Sequence, residues 1–375
     1  MIDVESFCEY LKLNDINFFT GVPDSLIKEF CSYLENNFKK ENNVIAANEG
    51  NAISIAAGYH LATNEIPLVY LQNSGLGNCI NPLSSLTNKE VYSIPMLLMI
   101  GWRGEPGVAD EPQHLKPGLE MLNQLNLLSI SYYILDKSSD HKMIINNAIK
   151  KANENKSPVA IIVKKNSFKK NSSVKAINKE YKLSRSDAIK IIIDNINDND
   201  IVISTTGKAS RELYFFRNKY DNHGRDFLTV GSMGHVSSIS AGLALGCKNK
   251  NIICIDGDGS ALMHMGSMAI NGTLDLKNYK YFLLNNGSHD SVGGQATVGF
   301  EIDFCQIAKA CNFKSVNKCI DAESLKDTIN NSLDYKGSSM IEVMINNDNN
   351  IIDLPRPKQS PIENKNSLME FISKE

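Results

Sequence analysis

Short apolar runs recur along this chain, each bounded by polar or glycine-bearing turns and followed by apolar residues at helical spacing. In the first half they are Asn17–Thr20, Val44–Ala46, Leu68–Gln72, Met96–Ile100 and Ala160–Lys164. In the second half they are Ile201–Ser204, Ile252–Ile255, Tyr281–Leu284 and Met340–Val343. Continuous apolar runs of this length read as strands buried on both faces, and their alternation with helical stretches marks βαβ units. Between the two groups, KKNSFKKNSSVKAINKEYKLS (Lys164–Ser184) is rich in Lys, Asn and Ser and has no apolar periodicity. The pattern predicts an α/β protein of two open, mostly parallel-sheet domains: residues 1–168, a linker 169–184, and residues 185–375. The tail, LPRPKQSPIENKNSLMEFI, reads as a Pro-broken loop and a short helix. No sequence repeat relates the halves.

Composition narrows the class. A chain of 375 residues can bury a core in each domain. Lys+Arg 39 against Asp+Glu 42 gives a net charge of −3, which carries no nucleic-acid footprint. The opening MIDVESFCEYL is acidic where a secretory signal is basic, and no apolar run reaches membrane-spanning length. The eight cysteines are scattered without a CxxC pair, and Cys247, Cys254 and Cys305 sit in apolar runs. Buried, reduced thiols and a cytoplasmic location are expected, with neither nucleic acid nor membrane as a partner.

The chemistry concentrates in IICIDGDGSALMHMGSMAINGTLDLKNYKYFLLNNGSHDSVGG (Ile252–Gly294). Two strands of one parallel sheet deliver Asp258 and Asn286 to the same edge, where open α/β sheets place ligands. Gly257, Gly259 and Ser260 let backbone amides approach a phosphate, with a helix N-terminus behind them. A carboxylate and an amide oxygen are hard ligands suited to Mg²⁺ shared with phosphate oxygens. A tight strand–helix turn would use the same GDG letters. In the first half, strand Val44–Ala46 leads through Asn48-Glu49-Gly50-Asn51 into the helix AISIAAGYHLAT. A Glu there also simply favours the helix dipole.

GDG followed at this distance by NN resembles the signature of thiamine-diphosphate enzymes, and the NEGNA context of Glu49 is similar to their N-terminal domain. The resemblance implies thiamine diphosphate and Mg²⁺, the metal held by Asp258, Asn286 and the carbonyl of Ser288. The family often reads NNxG, where this chain has Asn286-Gly287-Ser288. It implies that Glu49 bonds N1′ of the aminopyrimidine, promoting the imino tautomer that takes the C2 proton. Val230-Gly231-Ser232-Met233-Gly234-His235 is similar to the family's GSxG segment, which makes Met233 the wedge beneath the cofactor. A Met before a helix is also ordinary core filling. Gly207, Gly231 and Ser232 complete the implied cofactor contacts, alongside Gly257, Gly259 and Ser260. Because the family places its cofactor across a subunit interface, a homodimer or higher assembly is implied. Two domains fill the length, so the third, central domain of larger members is absent.

A narrower resemblance covers nearly the whole chain. Gly21-Val22-Pro23-Asp24-Ser25, Asn73–Asn78, Arg103–Gly107, Asp110–His114 and His289–Gln295 together resemble the phosphonopyruvate decarboxylases, with the sulfopyruvate decarboxylases as near relatives. The resemblance implies decarboxylation of 3-phosphonopyruvate to phosphonoacetaldehyde and CO₂, the thiazolium ring taking up the electron pair. An acid near C2 is needed. Asp24 and His114 are the candidates, followed by His289 and Asp290. Asp24 in its turn is equally a helix cap, and His114 equally an ordinary loop histidine. For the phosphonate, a guanidinium fork suits best. Arg103 and Arg211 are the candidates, each equally a structural ion pair, ahead of Lys208, Lys164 and Lys165. The rivals are a thiamine-diphosphate carboligase or other 2-oxo acid decarboxylase, a cofactor-binding subunit without turnover, and a flavin- or nucleotide-binding α/β protein. No GxGxxG follows a strand near either domain's start, which weighs against the last.

Overall fold

The computed structural model describes residues 1–170, 180–220, 224–347 and 354–373. The chain divides into two compact units, 1–174 with 289–295, and 175–288 with 296–375. Much of the expected linker, 171–179, lies outside the described residues. The segment 289–295, expected in the second domain, clusters with the first unit.

The first unit contains strands β1 (Phe19–Gly21), β2 (Asn43–Ile45), β3 (Leu68–Gln72), β4 (Leu97–Gly101), β5 (Ser131–Leu135) and β6 (Val159–Val163). They form one parallel sheet in the order β2-β1-β3-β4-β6-β5. The second unit contains β7 (Ile201–Ser204), β8 (Asp226–Leu228), β9 (Ile252–Gly257), β10 (Tyr279–Asn285), β11 (Ser315–Cys319) and β12 (Ser339–Met344). These are likewise all parallel, in the order β11-β12-β10-β9-β7-β8.

The inner strands of each sheet are buried on both faces, and the strand period of two decides which core a residue joins. On β3 and β4, Leu68, Tyr70, Leu97 and Met99 enter one core, while Val69, Leu71, Leu98 and Ile100 enter the other. In the second unit, Ile253, Ile255, Phe282 and Leu284 face one core, and Ile252, Cys254, Tyr281 and Leu283 the opposite one. The two α/β units are thus the expected class, and there is no third sheet among the described residues.

The expected strands all form, with ends shifted by a few residues. β5, β8 and β11 were not expected, and all three lie at sheet edges. Edge strands such as β5 (SYYIL) and β11 (SVNKC) are mostly half-exposed or exposed, so no continuous apolar run marks them. In both sheets the strand order reverses, between β1 and β3 and between β7 and β9, and such points open crevices at the carboxyl ends of the strands.

Candidate active site

In the first unit the carboxyl ends of β1 to β4 carry, in turn, Asp24, Glu49, Asn73–Asn78 and Arg103. Glu49 opens the helix Glu49–Thr63, whose N-cap Asn48 accepts the Asn51 N–H at 3.0 Å. The Glu49 side chain is buried, and its Oε2 accepts Asn78 Nδ2 at 2.7 Å. Gly75 packs so closely over the carboxylate that a Cβ there would lie inside contact distance of Glu49 Oε1 and Cδ.

Asp24 is fully buried, and Gly101 covers it as Gly75 covers Glu49. Its Oδ2 accepts the Leu26 N–H at 3.1 Å, while Oδ1 has no hydrogen-bond partner among the described residues. Burial pushes the Asp24 carboxyl up to about 6, against the lowering pull of the Leu26 N–H and Arg103. It can therefore hold a proton close to neutral pH.

Beside it, Asp110 gathers the loop after β4. It accepts Arg103 Nε at 2.8 Å and also Arg103 Nη2, His114 Nδ1 at 2.9 Å, and the backbone N–H groups of Gly104 and Glu111. Burial pushes the Asp110 carboxyl up, but these bonds outweigh it and hold the group well below the usual carboxylate range. Arg103 Nη1 donates to Ser25 Oγ at 2.8 Å, so the fork is engaged on both sides. Burial lowers the His114 pKa, opposed by Asp110. A neutral His114 donating from Nδ1 to Asp110 leaves Nε2 as an acceptor. Within 289–295, His289 is half-buried and its loss of hydration pushes it down to about 4, while Gln295 Nε2 donates to Ser32 Oγ at 3.3 Å.

In the second unit, pairing of Leu284 with Gly257 sets Asn285-Asn286 beside Asp258. Asp258 is buried, accepts the Thr297 hydroxyl on Oδ2, and is pushed up to about 6 by burial despite that bond and the Asn286 backbone N–H. A buried carboxylate with no cation paired to it among the described residues, next to an amide oxygen, fits a divalent metal. Asn286 Oδ1 accepts the Ser288 N–H at 3.0 Å, which fixes the turn that carries the Ser288 carbonyl. Ser260 Oγ meets Thr205 Oγ1 at 3.1 Å and accepts the Gly234 N–H at 3.1 Å, and Thr206 Oγ1 accepts the Gly231 N–H at 3.0 Å. The loops after β7, β8 and β9 thus converge. Gly207, Gly231, Ser232 and Gly234 have positive φ, and a Cβ on Gly234 would strike His264. Such a backbone suits a diphosphate. The helix behind Asp258 is shorter than the sequence suggests, ending at Met263, so the local amides matter more than a macrodipole.

In the first unit Asp24, Arg103 and His114 lie around Asp110, and in the second Asp258 and Asn286 adjoin. Met233 is half-buried in the Gly231–Gly234 turn. Arg211 is placed elsewhere in its unit, donating to the Leu354 carbonyl. Lys164 pairs with Glu105. The sequence reading missed Asn78, Asp110 and Thr297 as partners of the expected acids. The four-residue spacing of Asp110 and His114 at a helix start was a usable signal for one of them.

Two family models match the chain: the thiamine pyrophosphate enzyme N-terminal TPP-binding domain over residues 4–127, and the corresponding C-terminal domain over residues 206–343. Phosphonopyruvate decarboxylase from Streptomyces viridochromogenes is 30% identical over 87% of this chain and 84% of its own length. The phosphonopyruvate decarboxylase of Streptomyces hygroscopicus is 30% identical over 87% and 83%. Sulfopyruvate decarboxylase from Methanosarcina acetivorans is 28% identical over 98% and 97%. The chain belongs to the thiamine-diphosphate-dependent decarboxylases, in the family that holds the phosphonopyruvate and sulfopyruvate enzymes.

Proposed function

We propose that this chain decarboxylates 3-phosphonopyruvate to phosphonoacetaldehyde and CO₂, using thiamine diphosphate and Mg²⁺, as a cytoplasmic homodimer or larger assembly in phosphonate biosynthesis. The observation that carries the substrate is the 30% identity to phosphonopyruvate decarboxylases across 87% of the chain. A second reading, sulfopyruvate, is favoured by the Methanosarcina relative, which is a single chain aligned almost end to end. Fusion of the two domains in one chain therefore does not separate the substrates.

When bound, thiamine diphosphate supplies the nucleophilic carbon and the electron sink. Asp258, Asn286 and the Ser288 carbonyl would hold the metal, with the glycine-rich turns at Gly207, Gly231 and Gly257–Ser260 around the diphosphate. Met233 would be the apolar support beneath the rings. Glu49 has Oε2 engaged by Asn78, so Oε1 would be the oxygen that exchanges a proton with N1′. The product needs a proton at the carbon that loses CO₂. Asp24 is suited to deliver it, since it is fully buried, has one oxygen without a partner among the described residues and is pushed up to about 6. His114, held through Nδ1 by Asp110, would accept or return a proton at Nε2. Arg103 is the cation beside this pair, and its ion pair with Asp110 fixes its direction while offsetting its charge. The phosphonate is then held by directed N–H donors as much as by net charge.

Comparison of kcat/KM for aldehyde formation from phosphonopyruvate, sulfopyruvate and pyruvate tests this reading. Phosphonopyruvate is expected to exceed both others by at least about tenfold, a 1.4 kcal/mol preference. Preference for sulfopyruvate would replace the substrate and keep the chemistry.

A further inference from the structure

Glu342 is a carboxylate in the middle of β12, fully buried, at a position no motif of the sequence singles out. Its Oε1 accepts Asn285 Nδ2 at 2.9 Å. The same Nδ2 donates to the Gly299 carbonyl at 2.7 Å, and Asn285 Oδ1 accepts the Gly287 N–H at 3.2 Å. Both amide hydrogens and one carbonyl lone pair are used, which leaves the Asn285 side chain a single orientation. From Gly299 the path continues, because its N–H donates to Thr297 Oγ1 at 3.0 Å. The Thr297 hydroxyl, accepting there, donates its own hydrogen to the carboxylate oxygen Asp258 Oδ2. A Cβ on Gly299 would come within 2.6 Å of Asn285 Oδ1 and 2.7 Å of Asp258 Oδ2, so the backbone itself closes the gap.

On its other side Glu342 is balanced from the half-exposed surface. Lys318 Nζ lies 3.2 Å from Oε2, and the Cys305 thiol donates to the same oxygen at 3.4 Å. A fully buried carboxylate in a core strand is costly unless paired and hydrogen-bonded, and an apolar residue would fill that strand position more cheaply. What the carboxylate does that an apolar residue cannot is grip Asn285 and, through Gly299 and Thr297, orient Asp258.

We propose that Glu342 is the positioning residue of the metal end of the site, fixing the Asn285–Gly299–Thr297 chain that aims Asp258 and the adjoining Asn286 turn. This inference rests on reading Asp258 and Asn286 as the metal-holding pair. The test is Mg²⁺-dependent binding of thiamine diphosphate, followed by equilibrium dialysis at increasing Mg²⁺, with the melting temperature recorded for each variant. Glu342→Leu removes the acceptor and should raise the Mg²⁺ half-saturation about 10- to 100-fold, the range found when groups behind metal ligands are removed. Glu342→Gln keeps an acceptor oxygen for Asn285 and should stay within about threefold, the effect of a modest change in one hydrogen bond. Asn285→Ala breaks the same link and serves if the leucine variant does not fold. Asp258→Ala is measured alongside. A folded Glu342→Leu with lowered melting temperature but unchanged half-saturation, while Asp258→Ala binds poorly, would overturn this inference and leave the metal site standing. Unchanged binding in Asp258→Ala would remove the metal reading itself.

Discussion

Replacing Asp24 by Asn should stabilise the first unit at neutral pH while disabling the enzyme. Burial moves this carboxyl from its ordinary 3.8 up to about 6. That difference of about two pH units corresponds to about 3 kcal/mol between the two protonation states. The sign follows from proton binding: between these two values the folded chain holds the proton and the unfolded chain releases it. Stability therefore falls as pH rises through that window and is flat above it. At pH 7 the native first unit carries the full cost of a buried anion whose Oδ1 has no hydrogen-bond partner among the described residues. Asn keeps an acceptor for the Leu26 N–H and has no charge to bury. Urea unfolding of both proteins at pH steps from 4 to 7.5, following the first unit's transition, should show a difference near zero at pH 4. It should grow to about 3 kcal/mol in favour of Asp24→Asn by pH 7. Aldehyde formation should fall about 10²- to 10⁴-fold, the usual contribution of a positioned acid. A stability difference independent of pH would refute the reasoning, because it would mean that Asp24 titrates normally.

Glu49→Gln should bind thiamine diphosphate yet lose most hydrogen–deuterium exchange at C2, read by proton NMR after acid quench; unchanged exchange would remove Glu49 from its role. Gly75→Ala forces a methyl onto the Glu49 carboxylate and should cost about 1–3 kcal/mol as overpacking, with C2 exchange slowed in parallel. Asp110→Asn takes the anion from Arg103 and His114 together, and turnover should drop by up to about 100-fold, the lower range for acid–base groups. An Asp110→Asn variant with wild-type kcat would show that the cluster only holds the loop.

The interior of the fold was legible because strands buried on both faces must be apolar throughout, as β4 and β6 are. The edge strands were not, because β5 and β11 keep many of their residues partly in water and their letters look like loop. Site residues at strand ends were readable where a motif surrounds them, as with Glu49 and Asp258. Thr297 and Glu342 reach Asp258 and Asn285 from distant parts of the chain, so no local pattern announces them. Arg211 looked suited to an anion by its residue type, yet its donation to the Leu354 carbonyl could be seen only once the chain was folded.

Incubating the purified protein with phosphonopyruvate, thiamine diphosphate and Mg²⁺, while following ³¹P NMR and trapped CO₂ together, tests the central claim most directly. The account predicts phosphonoacetaldehyde and CO₂ in equal amounts, with no turnover when the cofactor is omitted. Consumption of the acid without free aldehyde, or aldehyde formed equally well without thiamine diphosphate, would contradict it.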